Sequence, residues 1–394
     1  MAATDATTGA TTAASPRPVP SSGPVLGGVL AAALLLPGIV APAMAETAPE
    51  QGVIAIKQLS YQDWQPGLQR VHVNAPSIYA LAPLDAHWSL EGSFVRDGVS
   101  GASPRHHSAI SSASHMDDQR HAGDLKLTHY DDRQAWAIGG AWSNEHDYKS
   151  RTLSAEWRLS SEDNNRTWNI GLARSNDSIG SSDDDTLHEH RGTWQLLAGV
   201  TQAVSALDLV QLNLGANWGR GYFSDPYKFP DIRPRSRNQY TALLRWNHHI
   251  EPLQATLRTS WRFYDDSFGV RAHTLEAAWV QPLGERWSVT PTLRYTTQSA
   301  AKFYKDPVYD PVLGEPFPPG FDGQHPTSAD QRLSAFGALT GGLRVDWRVD
   351  AQWKLDLNYE RYEQRSGWRA GGNGSPGLAT FSARWWQFGL SRSF

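Results

Sequence analysis

The chain ends Thr380-Phe-Ser-Ala-Arg-Trp-Trp-Gln-Phe-Gly-Leu-Ser-Arg-Ser-Phe394. Every second residue back from the end places Phe394, Arg392, Leu390, Phe388 and Trp386 on one face, and Ser393, Ser391, Gly389, Gln387 and Trp385 on the other. Period two is the mark of a strand, here with one mostly apolar and one mostly polar face. The same alternation recurs upstream. Val210, Leu212, Leu214, Ala216 and Trp218 share one face of 209–218; Leu253, Ala255, Leu257, Trp261 and Phe263 share one face of 253–264. Segments 287–298, 333–349 and 353–360 repeat it, with Leu333, Ala335, Leu339, Leu343, Val345 and Trp347 on one side of the longest. These runs match the ~9–11 residues of a tilted membrane strand and exceed the ~5–6 of most soluble strands. Aromatics close the apolar faces at Trp218, Trp246, Trp287, Tyr295, Trp347, Trp353 and Trp386, where interfacial girdles would lie.

Composition fits that reading. The mean hydropathy of −0.49 argues against transmembrane helices only, because a barrel wall alternates lipid-facing and inward residues and averages to polar. Seventeen Trp supply girdle material, the net charge of −4 gives no argument for nucleic acid, and the lack of Cys excludes disulfides and thiolate metal sites. Near the N-terminus, Val25 to Leu36 is an apolar run followed by Pro37, Gly38 and Ala43-Met44-Ala45. It is too short to span a bilayer and reads as a signal peptide over 1–45, cut after Ala45. Residues 46–394 then form one exported domain.

Sixteen candidate strands follow: 53–64, 70–81, 86–96, 123–131, 134–144, 150–160, 167–175, 193–203, 207–218, 239–249, 253–264, 270–281, 287–299, 332–349, 353–364 and 379–394. Short links near 83–85, 132–133, 161–166, 205–206, 250–252, 283–286 and 350–352 alternate with long ones at 97–122, 176–192, 219–238, 300–331 and 365–378. Short periplasmic turns and long external loops are what a bacterial barrel has. The expectation is therefore an all-β fold: a transmembrane antiparallel up-and-down β-barrel of about sixteen strands, within fourteen to eighteen. Its last strand would close against 53–64, and Arg392 would lie at the interface, below the band that Leu390, Phe388 and Trp386 enter.

Several segments invite chemistry. His106, His107, His115, Asp117, Asp118 and His121 fall in one expected loop, and Asp183, Asp184, Asp185, His188, Glu189 and His190 in another. His and carboxylates suit divalent metals, but no tight ligand spacing is present, so these read as solvated polar loops and no metal or other cofactor is assigned. Asp97 and Ser100 invite a hydrolase, yet no G-x-S-x-G elbow surrounds any Ser, so no catalytic residue is assigned. Charges on the polar strand faces are different, because on the lipid face each would cost about 2–4 kcal/mol near the midplane. Glu156, Arg158, Arg245, Arg258, Arg262, Glu276, Arg294, Arg344, Asp346, Arg348, Asp356 and Glu360 are accordingly expected to line the lumen. Their arginine excess between 239 and 349 points to an anionic or zwitterionic permeant.

Ser100-Gly-Ala-Ser103, Asp147-Tyr148 and Gln298-Ser-Ala-Ala-Lys-Phe-Tyr304 carry a resemblance to an exported bacterial family of unknown function, domain-of-unknown-function family 3570, over roughly Tyr61 to Phe394. The resemblance implies an outer-membrane barrel without established biochemistry and supplies no catalytic residues. The leading expectation is a passive channel or scaffold for small polar or anionic solutes, one barrel per chain, alone or as a homo-oligomer. The alternatives are an outer-membrane hydrolase acting on lipid or glycan, and a non-conducting surface or assembly barrel partnered with periplasmic proteins. Expected partners are outer-membrane lipid and lipopolysaccharide, and the barrel-assembly machinery through the C-terminal strand.

Overall fold

A computed structural model describes residues 47–104, 113–181, 184–228, 230–306 and 321–394. The segment 1–45 and its expected cleavage point lie outside them. The terminal stretch is strand β18 (Phe381–Ser393). It pairs antiparallel with β17 (Trp353–Arg365) on one side and with β1 (Val53–Gln65) on the other, from Val53↔Ser393 to Trp64↔Ser382. Gly52 and Phe394 add two backbone hydrogen bonds of 2.9 and 3.0 Å beyond that register.

The wall continues through β2 (Leu68–Pro83), β3 (Trp88–Pro104), β4 (Ala113–Asp131), β5 (Gln134–Asn144), β6 (Tyr148–Ser160), β7 (Arg166–Ile179), β8 (Glu189–Ala203) and β9 (Asp208–Gly221). It is completed by β11 (Ser236–Ile250), β12 (Ala255–Asp266), β13 (Arg271–Leu283), β14 (Trp287–Gln298) and β16 (Phe336–Arg348). These sixteen strands form one closed antiparallel barrel, while the short β10 (Asp231–Ile232) and β15 (Thr327–Ser328) pair with each other outside the wall. Closure leaves no unpaired edge, the condition for crossing a bilayer with strands.

The alternation sets what each face meets. Leu153 is 74%, Ile138 65%, Leu125 61% and Leu293 60% exposed, an apolar band that only lipid can cover. At the short-turn end, Trp88, Trp136, Trp157, Trp168, Trp246, Trp287, Trp347 and Trp353 sit near the strand ends on this outer face. Trp287 and Trp347 stack at 5.1 Å, and Arg392 lies 5.3 Å over the Trp353 ring. Two short turns share one device: Asp85 accepts from the N–H groups of His87 and Trp88 at 2.7 and 2.8 Å, and Asp350 from those of Gln352 and Trp353, both at 2.8 Å. Each Asx turn thereby delivers a Trp to the girdle.

Three boundaries differ from the sequence expectation. The link 97–122 is mostly strand, since β3 and β4 pair residue by residue to Pro104↔Ala113. Beyond the apolar band no apolar face is needed, so pairing continues without a period-two pattern. The link 176–192 is shortened likewise, with β7 reaching Ile179 and β8 starting at Glu189. Leu333 and Leu253 are not wall residues: Gln331–Leu333 and Glu251–Leu253 are 3-10 turns, and Leu333 is buried at 2% exposure.

Candidate functional site

At the long-loop end, segments from several strands fold together across the mouth. Phe268 of the β12–β13 turn, Val270, Ala301, Phe303 and Leu333 form a buried apolar cluster, with Phe223, Tyr264 and Tyr304 against it. Gln298 holds the carbonyls of Arg332 and Ser334 at 3.1 and 2.8 Å, so β14 anchors the segment that precedes β16. From the β9–β11 connection, Tyr227 donates to Asp147 between β5 and β6. From the β17–β18 connection, the Gly377 N–H donates to Asp306 at 3.0 Å. On the outer flank of the wall below the mouth, Gly337 makes one close approach feasible: a Cβ there would strike the Trp368 carbonyl, to which Tyr295 donates at 2.5 Å.

The centre of this lid is ionic. Arg233 reaches Asp231 at 2.9 Å and Asp330 at 2.6 Å, and Arg332 reaches Asp225 at 2.6 Å and also pairs with Asp330. Asp330 is 2% exposed and caps the turn through the Arg332 N–H at 3.0 Å. Burial alone would raise its carboxyl, but the charges of Arg332, Lys228 and Arg233 outweigh it and hold Asp330 well below the usual carboxylate range. Asp231 goes the other way, raised by burial more than Arg233 lowers it, and burial also lowers the Lys228 ammonium. A buried, mutually hydrogen-bonded charge network of this kind fixes geometry more than it adds stability.

Below the lid, the charged residues singled out in the sequence all alternate with the exposed apolar positions and so face inward. Some are brought together. Arg294 pairs with Glu276 at 2.6 Å and Glu360 at 3.5 Å; Arg344 pairs with Asp346 at 2.9 Å and Asp356 at 3.7 Å, and Lys354 joins Asp346 at 2.9 Å. Glu156 lies 3.8 Å from Lys126, which also pairs with Glu91, and Arg158 sits 5.9 Å over the Tyr130 ring. Arg348 is exposed at the short-turn rim.

The remaining three have no acidic partner. Arg245 donates to Gln211 at 3.3 Å, and Arg258 makes no ion pair or side-chain hydrogen bond among the described residues. Arg262 is 7% exposed and its Nη2 has no hydrogen-bond partner. The three lie on adjacent strands, in register as Leu243↔Arg262, Arg245↔Ser260 and Asn247↔Arg258. One side of the interior therefore carries a ladder of guanidiniums with no carboxylate at ion-pair distance among the described residues, Glu276 and Asp346 acting on Arg245 and Arg258 only from farther away.

The other sequence candidates disperse. Asp97 accepts from Arg120 at 2.7 Å, while His121 stacks on Phe94 at 6.2 Å on the outer face. Asp184 is taken up by Thr186 at 2.9 Å. Among the described residues, no three His or carboxylate groups converge as a metal site would require; His106, His107 and Asp183 lie outside them. The lid and the partners Lys126 and Glu91 were missed by sequence reasoning. The signal for the lid lay in Gln298-Ser-Ala-Ala-Lys-Phe-Tyr304 and Asp147-Tyr148, which form its contacts.

A family model described as "Protein of unknown function (DUF3570)" matches residues 107–385. The chain belongs to this family. The lid contacts of Asp147, Gln298, Ala301, Phe303 and Asp330 all fall within the matched part of this DUF3570 protein. No curated protein sequence matches it. Solved barrels similar to it include the siderophore receptor PirA from Pseudomonas aeruginosa, at 13% identity and TM-score 0.43 over 85% of this chain and 60% of that one. P. aeruginosa OccK2 (OpdF), solved in complex with glucuronate, is 10% identical with TM-score 0.44 over 87% and 98% of the two chains. A loop-deletion mutant of OmpT, an outer membrane protein of Vibrio cholerae, is 8% identical with TM-score 0.42 over 87% and 99%. The chain spans about 60% of the length of PirA. The closed wall, its apolar band and its Trp girdle make this DUF3570 protein a membrane-spanning barrel of the outer-membrane type.

Proposed function

We propose that this protein is a lidded outer-membrane channel that favours small anionic solutes. In this reading the short turns face the periplasm, the long loops face outward, and a signal peptide cut after Ala45 directs export. The observation that carries it is the ladder of Arg245, Arg258 and Arg262, which has no carboxylate at ion-pair distance among the described residues. An inward guanidinium without a carboxylate is costly unless a mobile counter-ion neutralises it, and sixteen strands enclose a lumen wide enough for one. The inward pairs Arg294–Glu276 and Arg344–Asp346 brace the wall and leave the ladder as the selective surface.

Planar-bilayer recording under a KCl gradient tests this. The expected reversal potential lies toward that of chloride, and Arg258→Glu moves it toward that of potassium. A cation-selective wild type would sink the proposal. A second reading, a non-conducting surface or assembly barrel, is favoured by the packed loops at the mouth, and silence at every voltage in both wild type and a lid-loosened variant would select it.

A further inference from the structure

The outer face of β6–β9 changes character at its long-loop end. One cross-strand row, Leu153↔Arg174↔Trp194↔Trp218, ends the apolar band. The next row is Arg151↔Asn176↔Gly192↔Arg220, and Lys149↔Ser178↔His190 lies above it. The two upper rows, with Arg174 from the row below, line an open concavity of about 600 Å³. Gly192 forms its floor, and a Cβ at that position would meet the Arg174 guanidinium, which lies 5.3 Å over the Trp194 ring. Among its described lining residues Asp177 is the sole carboxylate, and Arg191 holds it at 2.6 Å. The neighbouring Glu189 is held by Arg235 at 2.6 Å. The concavity therefore presents uncompensated positive charge outward, one row above a surface that lipid must cover.

We propose that this concavity binds the phosphorylated sugar headgroup of outer-leaflet lipopolysaccharide, with Arg151, Arg174, Arg220 and Lys149 on the phosphate and the acyl chains against Leu153, Trp194 and Trp218. The proposal rests on the outward orientation of the long loops given above and not on conduction. Cations at a membrane surface each contribute ~1 kcal/mol toward anionic lipid, about fivefold in affinity. Arginine forks suit phosphate oxygens, and the aromatic row below accepts the sugar–acyl boundary.

The test uses the full-length barrel in detergent. Binding of purified lipopolysaccharide is measured by native mass spectrometry against dephosphorylated lipopolysaccharide, with inorganic phosphate as competitor. Retention of the phosphorylated lipid is expected, with weakening of about tenfold or more on dephosphorylation and a similar loss in Arg151→Gln/Arg220→Gln. Arg151→Lys/Arg220→Lys should recover most of the affinity, which separates charge from folding, and heat-modifiable gel migration reports that each variant is a barrel. Equal binding of both lipids, or full binding by the Gln variant, overturns the proposal. Displacement by phosphate at concentrations equal to the lipid's would show a free-anion site and also overturn it. Reversal potential should not change in the Gln variant, so failure here is distinguishable from failure of the channel reading. Labelling of Thr186→Cys, in the exposed turn between β7 and β8, by an impermeant external reagent in whole cells checks the orientation by itself.

Discussion

At the scale of the residue, the inward arginines divide by what they touch. Arg294 and Arg344 have carboxylates within ion-pair distance, and removing either leaves an acid uncompensated. Arg262 has none and is buried. Arg262→Met is thus expected to leave stability unchanged or raise it by about 1–3 kcal/mol, read as the denaturant midpoint of refolded barrel, while lowering anion selectivity. Arg294→Met should cost about 3–5 kcal/mol in the same assay; equal effects of the two would contradict the division. Asp330 and Asp231 offer a second contrast. Asp330 is held low by Arg332, Lys228 and Arg233 against its own burial. Its contribution is therefore present above the unfolded carboxyl value, ~3.9, and lost as pH falls through its lower folded value. Asp231 is raised by burial, so its contribution runs oppositely: it is present below ~3.9 and lost as pH rises through its higher folded value. Asp330→Asn should loosen the lid at pH 7 more than Asp231→Asn, seen as faster protease cleavage between 299 and 335.

At the scale of the element, strand and lid answer to different rules. On β14, Leu293 faces lipid at 60% exposure and Arg294 faces inward. Leu293→Arg should cost about 2–4 kcal/mol near the midplane, and Thr292→Arg much less, when both are refolded into lipid vesicles. The reverse order would mean the faces are misassigned. On β16, Gly337 lets the Trp368 carbonyl lie against the strand. Gly337→Leu is expected to displace the turn Ser366–Trp368 and expose it to protease while the wall stays closed, as heat-modifiable migration would record.

At the scale of the whole molecule, the lid is the gate if the barrel conducts as proposed. Its ionic centre draws on the β9–β11 connection and on the segment before β16, and Tyr227 and Gly377 tie in two more connections. Acidification should raise conductance only as pH falls through the lowered folded value of Asp330, below the ordinary ~3.9, where its protonation leaves Arg233 and Arg332 without their shared partner. Bilayer recordings carried from pH 7 into that acid range give the readout, and Asp330→Asn should already show the raised conductance at pH 7. Conductance that falls steadily with acid in both forms would place the gate elsewhere.

The sequence by itself determined the wall. Period-two alternation is a local property, and the bilayer imposes it wherever a strand meets lipid, so Leu212, Leu293 and Phe388 declare their face without knowledge of their neighbours. The rhythm of short and long links gave the strand count and the closing partner of Trp386 and Leu390. Inward charge followed from the same alternation, because lipid excludes it. The ends of β3 and β4 escaped, since backbone pairing outside the band needs no apolar face. Only the tertiary structure decided which charges meet. Arg233 and Asp330 are 97 residues apart, and no periodicity couples them. It alone set Arg262 without a partner while Arg294 has two, and placed Arg151, Arg174 and Arg220 side by side, because those relations depend on the register of neighbouring strands and on loops that fold across a closed wall.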